Sequence, residues 1–310
     1  MVAAYTGNGA YCFSNALHMS LLAAGADAAT LPESWFVECL TAMPFGRWFS
    51  PEGPSFGINA PGWNSERDGL PLAIEALGWR CRTWQGGSAD EALERLREAL
   101  AVGPAWLGPV DFGYLSYRRG ARGMAGFDHH VVGLALADES LLLHDPAGCP
   151  YAVLPIADLL DAWRADSIGW KLGSYTLRSH FEPERAPTRA EMIARVLPAV
   201  RANVHRQAGR PEHTAGHRAL RALAAVLRDG PPEDLDRRLI VFSLPTAARR
   251  AVDAARFLAE AGLPSAASAM GREAVLWGRS CSAVARRDWP GAADLVARLA
   301  DAEQELAAAL

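Results

Sequence analysis

The chain has 310 residues, half of them apolar and 21% charged, with a formal net charge of −4. That size suits one large domain or two ordinary ones, and the balance excludes a disordered or fibrous chain. No block of five or six like charges occurs, so nothing draws the chain to nucleic acid or to an anionic membrane surface. Lys171 is the single lysine among 31 basic residues, so a cationic patch here is built from arginine and favours carboxylate and phosphate partners.

An apolar run opening at Cys12 and reaching Leu22 has helical character, and Pro32 to Leu40 reads as a second, short helix. Pro44 to Asp68 is rich in Gly, Pro and aromatics without periodicity, and is expected to be a long loop. Its Phe45, Trp48, Phe49, Phe56 and Trp63 either wall a ligand groove or simply pack. Gly69 to Gly78 reads as a helix with a glycine stop, Trp79 to Trp84 as a strand, Ala89 to Val102 as a helix and Ala105 to Val110 as a strand. Tyr114 to Gly126, with three arginines and three glycines, reads as a flap. It leads into a strand over His129 to Ala137, a turn at Asp138-Glu139-Ser140 and a return strand ending in His144-Asp145-Pro146. Tyr151 to Leu154 adds a strand, Ile156 to Trp163 a helix, and Trp170 to Leu177 a last strand. A helix followed by an antiparallel sheet is an α+β order.

Past Phe181 the texture changes. Glu182 to Pro187 is a proline-bracketed polar linker, and the rest is Ala-, Leu- and Arg-rich with helical spacing. Domains are expected over 1–181 and 182–310. Six helices are expected in the second: Thr188 to Gln207, His213 to Arg228, Glu233 to Phe242, Thr246 to Ala261, Ser265 to Arg286 and Pro290 to Ala309. No fixed repeat is evident, so they read as a helical bundle.

The five cysteines (Cys12, Cys39, Cys81, Cys149, Cys281) are odd in number, widely spaced and without a CxxC pair. That pattern fits a reducing cytoplasm, with neither metal nor cofactor expected. The N-terminus lacks a basic segment followed by an apolar stretch and a cleavage site, and no apolar run approaches membrane-spanning length. His213 and His217 have the spacing of a helical zinc pair but no evident third ligand.

A thiol at a helix start can be ionised by the exposed N–H groups of the first turn and by a nearby imidazole. A carboxylate then orients the imidazole by accepting its other N–H. Cys12, His129 and Asp145 are the candidates, with His130 competing for the base role because adjacent strand residues face opposite sides. His129 and Asp145 flank the hairpin turn at unequal offsets, so their pairing requires either His129 just beyond the ladder or a skewed diagonal across it.

Cys12-x-x-x-Ala16-Leu17, His129-His130-Val131-Val132 and Leu141-Leu142-Leu143-His144-Asp145-Pro146 together resemble the bacterial papain-like cysteine fold. The 16-residue step from His129 to Asp145 is that of the bacteriocin-leader peptidases. With the helical segment from about Thr188, including Gly216-His217-Arg218-Ala219-Leu220, Ala255 to Ala261 and Trp277, the whole chain resembles the butirosin biosynthesis protein H-like family. The resemblance implies a papain-like catalytic domain followed by an all-α domain. It also implies an ATP-independent acyltransferase that passes an acyl group from a carrier-protein thioester, through acyl-Cys12, to an amine. The implied partners are therefore an acyl carrier protein or another thioester donor and a small-molecule amine, with Arg237-Arg238, Arg249-Arg250 and Arg286-Arg287 as a docking surface or as solvated helix faces. Related peptidases carry an oxyanion-stabilising glutamine six residues before the cysteine, where this chain has Thr6. Asn8 is the candidate replacement, beside the backbone N–H of Cys12. A cysteine peptidase or thioester hydrolase of the same fold, and a catalytically silent scaffold, are the competing expectations.

Overall fold

The computed structural model describes residues 3–7, 9–137, 139–208 and 212–310. In chain order the elements are α1 (Cys12–Ala23), α2 (Ser34–Leu40), β1 (Trp48–Ser50), β2 (Ser55–Gly57), α3 (Leu70–Ala76), β3 (Trp79–Trp84), α4 (Ala89–Val102), β4 (Ala105–Asp111), β5 (Asp128–Ala137), β6 (Ser140–Asp145), β7 (Cys149–Pro155), α5 (Ile156–Arg164) and β8 (Leu177–Pro183). There follow α6 (Arg189–Val204), β9 (Thr214–Ala215), α7 (Gly216–Arg228), α8 (Glu233–Arg238), α9 (Leu244–Glu260), α10 (Pro264–Ala285) and α11 (Trp289–Ala309). This is an α+β architecture with an N-terminal helix, a central sheet and an all-helical C-terminal bundle.

The chain divides into two compact units, one of Met1–Val37 with Leu77–Ala186, the other of Glu38–Ala76 with Pro187–Leu310. The second division lies a few residues beyond the 181/182 boundary expected from the sequence. The segment Glu38–Ala76, expected within the first domain, groups instead with the C-terminal helices.

The first unit is built on a six-stranded antiparallel sheet in the order β3-β8-β4-β5-β6-β7. All seven residues of β4 are buried, as befits a central strand covered on both faces. Ala92 and Leu96 of α4 and Leu159 and Trp163 of α5 form one core with Leu107, Val131, Leu141 and Leu143 of the sheet. A capping box, Ser88 with Glu91, starts α4 by satisfying two of its orphan N–H groups. α1 packs against β5 and β4.

The expected last strand, Trp170 to Leu177, lies C-terminal to its assigned place, at β8. Its first half forms a turn, in which Lys171 donates its backbone N–H to Ile168 O at 3.3 Å and its Nζ reaches Asp166 at 3.2 Å. The apolar alternation there comes from exposed Trp170 and Leu172. Glu182 and Pro183, expected as linker, are instead paired with Arg80 and Trp79 of β3, where Arg80 and Glu182 form an ion pair across the ladder.

In the second unit α9 packs on α10, α10 on α11 and α11 on α7, and α7 also meets a small antiparallel sheet in the order β2-β1-β9. The aromatics of the expected long loop are packed into this unit. Phe45 meets Phe257 at 6.2 Å, Phe56 meets Trp277 at 5.9 Å, Trp48 stacks on His213 at 5.6 Å, and the Trp63 indole N–H bonds Thr41 O at 3.0 Å. No helix among the described residues is long and apolar enough to cross a membrane.

Candidate active site

The hairpin of β5 and β6 sets the geometry. Val132 pairs with His144, so Val131 stands opposite Asp145 and His129, two residues earlier, shares that face on the diagonal. The unequal offsets from the turn are absorbed this way, helped by a register shift between Gly133 and Ala135. Asp138 of the turn lies outside the described residues. His129 Nε2 and Asp145 Oδ1 are 2.6 Å apart, with the carboxylate fully buried and the imidazole 5% exposed. Phe112 covers the His129 ring edge-on at 5.0 Å.

Asp145 is held from several directions. The Ala147 N–H donates to Oδ1 at 2.7 Å, and the Tyr117 hydroxyl and Arg118 Nε donate to Oδ2 at 3.0 and 2.7 Å. Burial pushes this carboxyl up, but the His129 charge and hydrogen bond, the Ala147 N–H and Arg118 outweigh it and hold the group well below the usual carboxylate range. The Tyr117 phenol is driven the other way, by burial first and then by the Asp145 charge, so it stays a donor.

His130 occupies a different environment. Its Nδ1 accepts the Trp106 indole N–H at 2.9 Å, and its ring meets Phe13 at 5.9 Å. Burial, then Arg178 and His129, drive its basicity far down. His144, next to Asp145 and expected on the opposite face, accepts the Tyr151 N–H at Nδ1, at 3.1 Å, and sits between the Tyr5 and Tyr151 rings.

Cys12 is the first residue of α1 and is partly exposed. Tyr11 before it is in the left-handed region at φ 60°, provides no side-chain cap, and the first turn carries no acidic residue. A left-handed tyrosine costs about 1–2 kcal/mol, and such strain persists where the surroundings impose it. Two contacts bracket the thiol. On one side Gly9 N–H reaches Pro146 O at 3.5 Å, and on the other Phe13 meets His130. Each of these partners is the chain neighbour of Asp145 or of His129. The described contacts thus join His129 to Asp145 directly, and they seat Cys12 between flanking residues that touch the neighbours of both.

Thr6 Oγ1 lies 2.9 Å from His18 Nδ1. Asn8, the candidate oxyanion donor, lies outside the described residues. Burial pushes the Cys39 and Cys81 thiols up and the Cys281 thiol up to about 11. All five cysteines are free of disulfides. No group of three or more His, Cys, Asp or Glu able to hold a metal occurs among the described residues.

Of the arginine pairs, Arg250 is buried, bonded to Glu38 at 2.7 Å and to Ile58 O at 2.9 Å. It is therefore part of the second unit's interior and not of a docking surface. Arg249 pairs with Asp253 at 2.9 Å. Tyr117 and Arg118 lie in the segment expected as a flap, but sequence reasoning gave neither a role at Asp145. Their signal was faint: an aromatic and a cation side by side in a glycine-rich segment immediately before the His129 strand.

Two comparisons place the chain among known proteins. The pattern of the YobF C-terminal domain family matches residues 210–310. An uncharacterized protein YobF of Bacillus subtilis (strain 168) is 28% identical over 303 residues, covering 96% of this chain and 95% of that relative. The likeness therefore runs through both compact units.

Proposed function

We propose that this protein is an acyltransferase of papain-like fold that moves an acyl group from a thioester donor, through acyl-Cys12, to an amine. The observation that carries this reading is the buried 2.6 Å bond between His129 and Asp145, in the same unit as a partly exposed cysteine at a helix start. A carboxylate that accepts a hydrogen bond from Nε2–H leaves Nδ1 as the nitrogen for the thiol, an arrangement that suits a thiolate–imidazolium pair.

Cys12 Sγ attacks the donor carbonyl, and the donor thiol leaves with the proton supplied by His129. The amine nitrogen then attacks acyl-Cys12, His129 accepts its proton, and the Cys12 thiolate departs. Thioester exchange is nearly balanced, whereas amide formation runs downhill, so no ATP is needed. The first-turn N–H groups of α1, with Cys12 N–H among them, are the oxyanion donors in this scheme. A carrier protein or small thioester is the donor and a small-molecule amine the acceptor. Five cysteines without disulfides support a reducing, cytoplasmic setting.

Intact-mass spectrometry of wild type and Cys12→Ala, after incubation with carrier-bound and small thioesters with or without amines, tests this. A Cys12-dependent adduct discharged by amine to amide is expected. Discharge to free acid regardless of amine makes the protein a thioester hydrolase, and absence of any adduct overturns acyl transfer.

A further inference from the structure

The His129–Asp145 pair has a guard that the acyl-transfer scheme does not use. Residues 112–126, between β4 and β5, form a loop whose ends are closed. Phe112 N–H bonds Phe127 O at 2.9 Å, and the buried Asp111 carboxylate accepts the Gly113 N–H at 2.8 Å and the Gly126 N–H at 3.2 Å. A Cβ on Gly113 would stand 2.7 Å from Ala125 Cα, so the two limbs touch backbone to backbone. The loop lays Phe112 on His129 and brings Tyr117 and Arg118 to Asp145 Oδ2. Arg118 is anchored again by Nη2 on Ala147 O at 2.5 Å, and its guanidinium lies over the Phe112 ring at 5.2 Å.

We propose that Arg118 is a positioning residue that fixes the Asp145 carboxylate toward His129 and tempers the pull of that carboxylate on the His129 proton. The assignment rests on the acyl-transfer reading. In that cycle the imidazole must both give and take a proton, once per half-reaction. A fully buried carboxylate with no counter-charge would bind the imidazolium proton too firmly for the second half. A guanidinium on the opposite oxygen shares the negative charge, and its two-pronged hold on Oδ2 and Ala147 O prevents the carboxylate from swinging. Tyr117 adds a neutral hydrogen bond to the same oxygen and brings no charge. Among the described residues, other titratable groups with an electrostatic influence on these include Tyr5 from the N-terminal segment, Cys149 of β7 and His130 of β5.

The test is the pH profile of Cys12 alkylation by iodoacetate on the full chain, read by peptide mass. An anionic reagent favours the thiolate beside a protonated imidazole, so the wild-type profile has an alkaline edge that His129→Ala abolishes. Arg118→Gln is expected to move that edge up by about one pH unit, Arg118→Lys to hold it close to wild type, and Tyr117→Phe to leave it in place. A lost hydrogen bond without a lost charge cannot give this pattern. An Arg118→Gln edge coincident with wild type, or a Tyr117→Phe edge displaced as far as that of Arg118→Gln, overturns the assignment of Arg118 alone. A wild-type profile identical to that of His129→Ala overturns the acyl-transfer reading and this assignment with it. Should Arg118→Gln not fold, an edge displaced in Arg118→Lys, which keeps the charge, overturns the proposal equally.

Discussion

Trp106 donates its indole N–H to Nδ1 of His130, and because indole can only donate, the proton of that imidazole sits on Nε2. His130 is thereby committed as an acceptor in the interior, while its neighbour His129 faces the carboxylate. His129→Ala is expected to slow Cys12 acylation by about 10²-fold or more. His130→Gln should leave the rate within a few-fold and lower stability by about 1–2 kcal/mol. Single-turnover acylation and denaturant unfolding of both variants check the division of labour.

Stability should fall as pH falls because of His130. Its imidazole stays neutral in the fold, held far below its ordinary value of 6.5, whereas the unfolded chain takes up a proton there. Below about pH 6.5 the unfolded state binds the extra proton, so this group costs about 1.4 kcal/mol per pH unit until its folded value is reached. Chemical denaturation at a series of pH values should show this slope in the difference between wild type and His130→Gln, in which the contributions of other groups cancel.

Gly108 is required by the same histidine. A Cβ there would stand 2.1 Å from His130 Nδ1, against a ring held between Trp106 and Phe13. Gly108→Ala must displace the ring and break the indole bond, at about 2–4 kcal/mol. A drop in thermal midpoint together with altered tryptophan fluorescence is the expected result.

In the second unit, Arg47 pairs with Glu273 at 3.2 Å, both side chains at most 1% exposed. Burial first, then the Glu303 charge beside it, push the Glu273 carboxyl well above its ordinary 4.5 against the pull of Arg47. A second buried carboxyl, Glu303, thus stands beside the pair. A raised acid holds its proton in the fold and releases it in the unfolded chain, so stability falls as pH rises from about 4.5 toward the folded value. Glu273→Gln mimics the protonated acid. It should stabilise the protein above that pH, by a margin that grows at about 1.4 kcal/mol per pH unit through the window. Unfolding curves of the two proteins at acidic and neutral pH read the difference.

The element types were legible in the sequence because helical and strand periods are local. α4 starts at a capping box that can be read from Ser88 and Glu91, and β3 and α4 begin and end where the side-chain pattern does. What escaped was non-local. Glu182 and Pro183 look like linker until β3 supplies their ladder. The aromatics from Phe45 to Trp63 look like groove walls until α9 and α10 cover them. The hairpin was compatible with a His129–Asp145 pairing without dictating it, and the diagonal needed the bulge near Leu134. Arg250 could not be recognised as buried from a doubled arginine, because its partner Glu38 is distant in the sequence.

His129 and Asp145 are separated by 16 residues, within one hairpin, whereas the bond from Tyr5 to the Asp145 carbonyl spans 140. The hairpin can form early at small entropic cost, but the segment that delivers Cys12 must wait for most of the sheet to exist. During synthesis from the ribosome the thiol is therefore made first and seated last. For that interval it is an ordinary exposed cysteine, open to oxidation, and refolding yields should depend on a reductant being present until β6 has closed over the N-terminal segment.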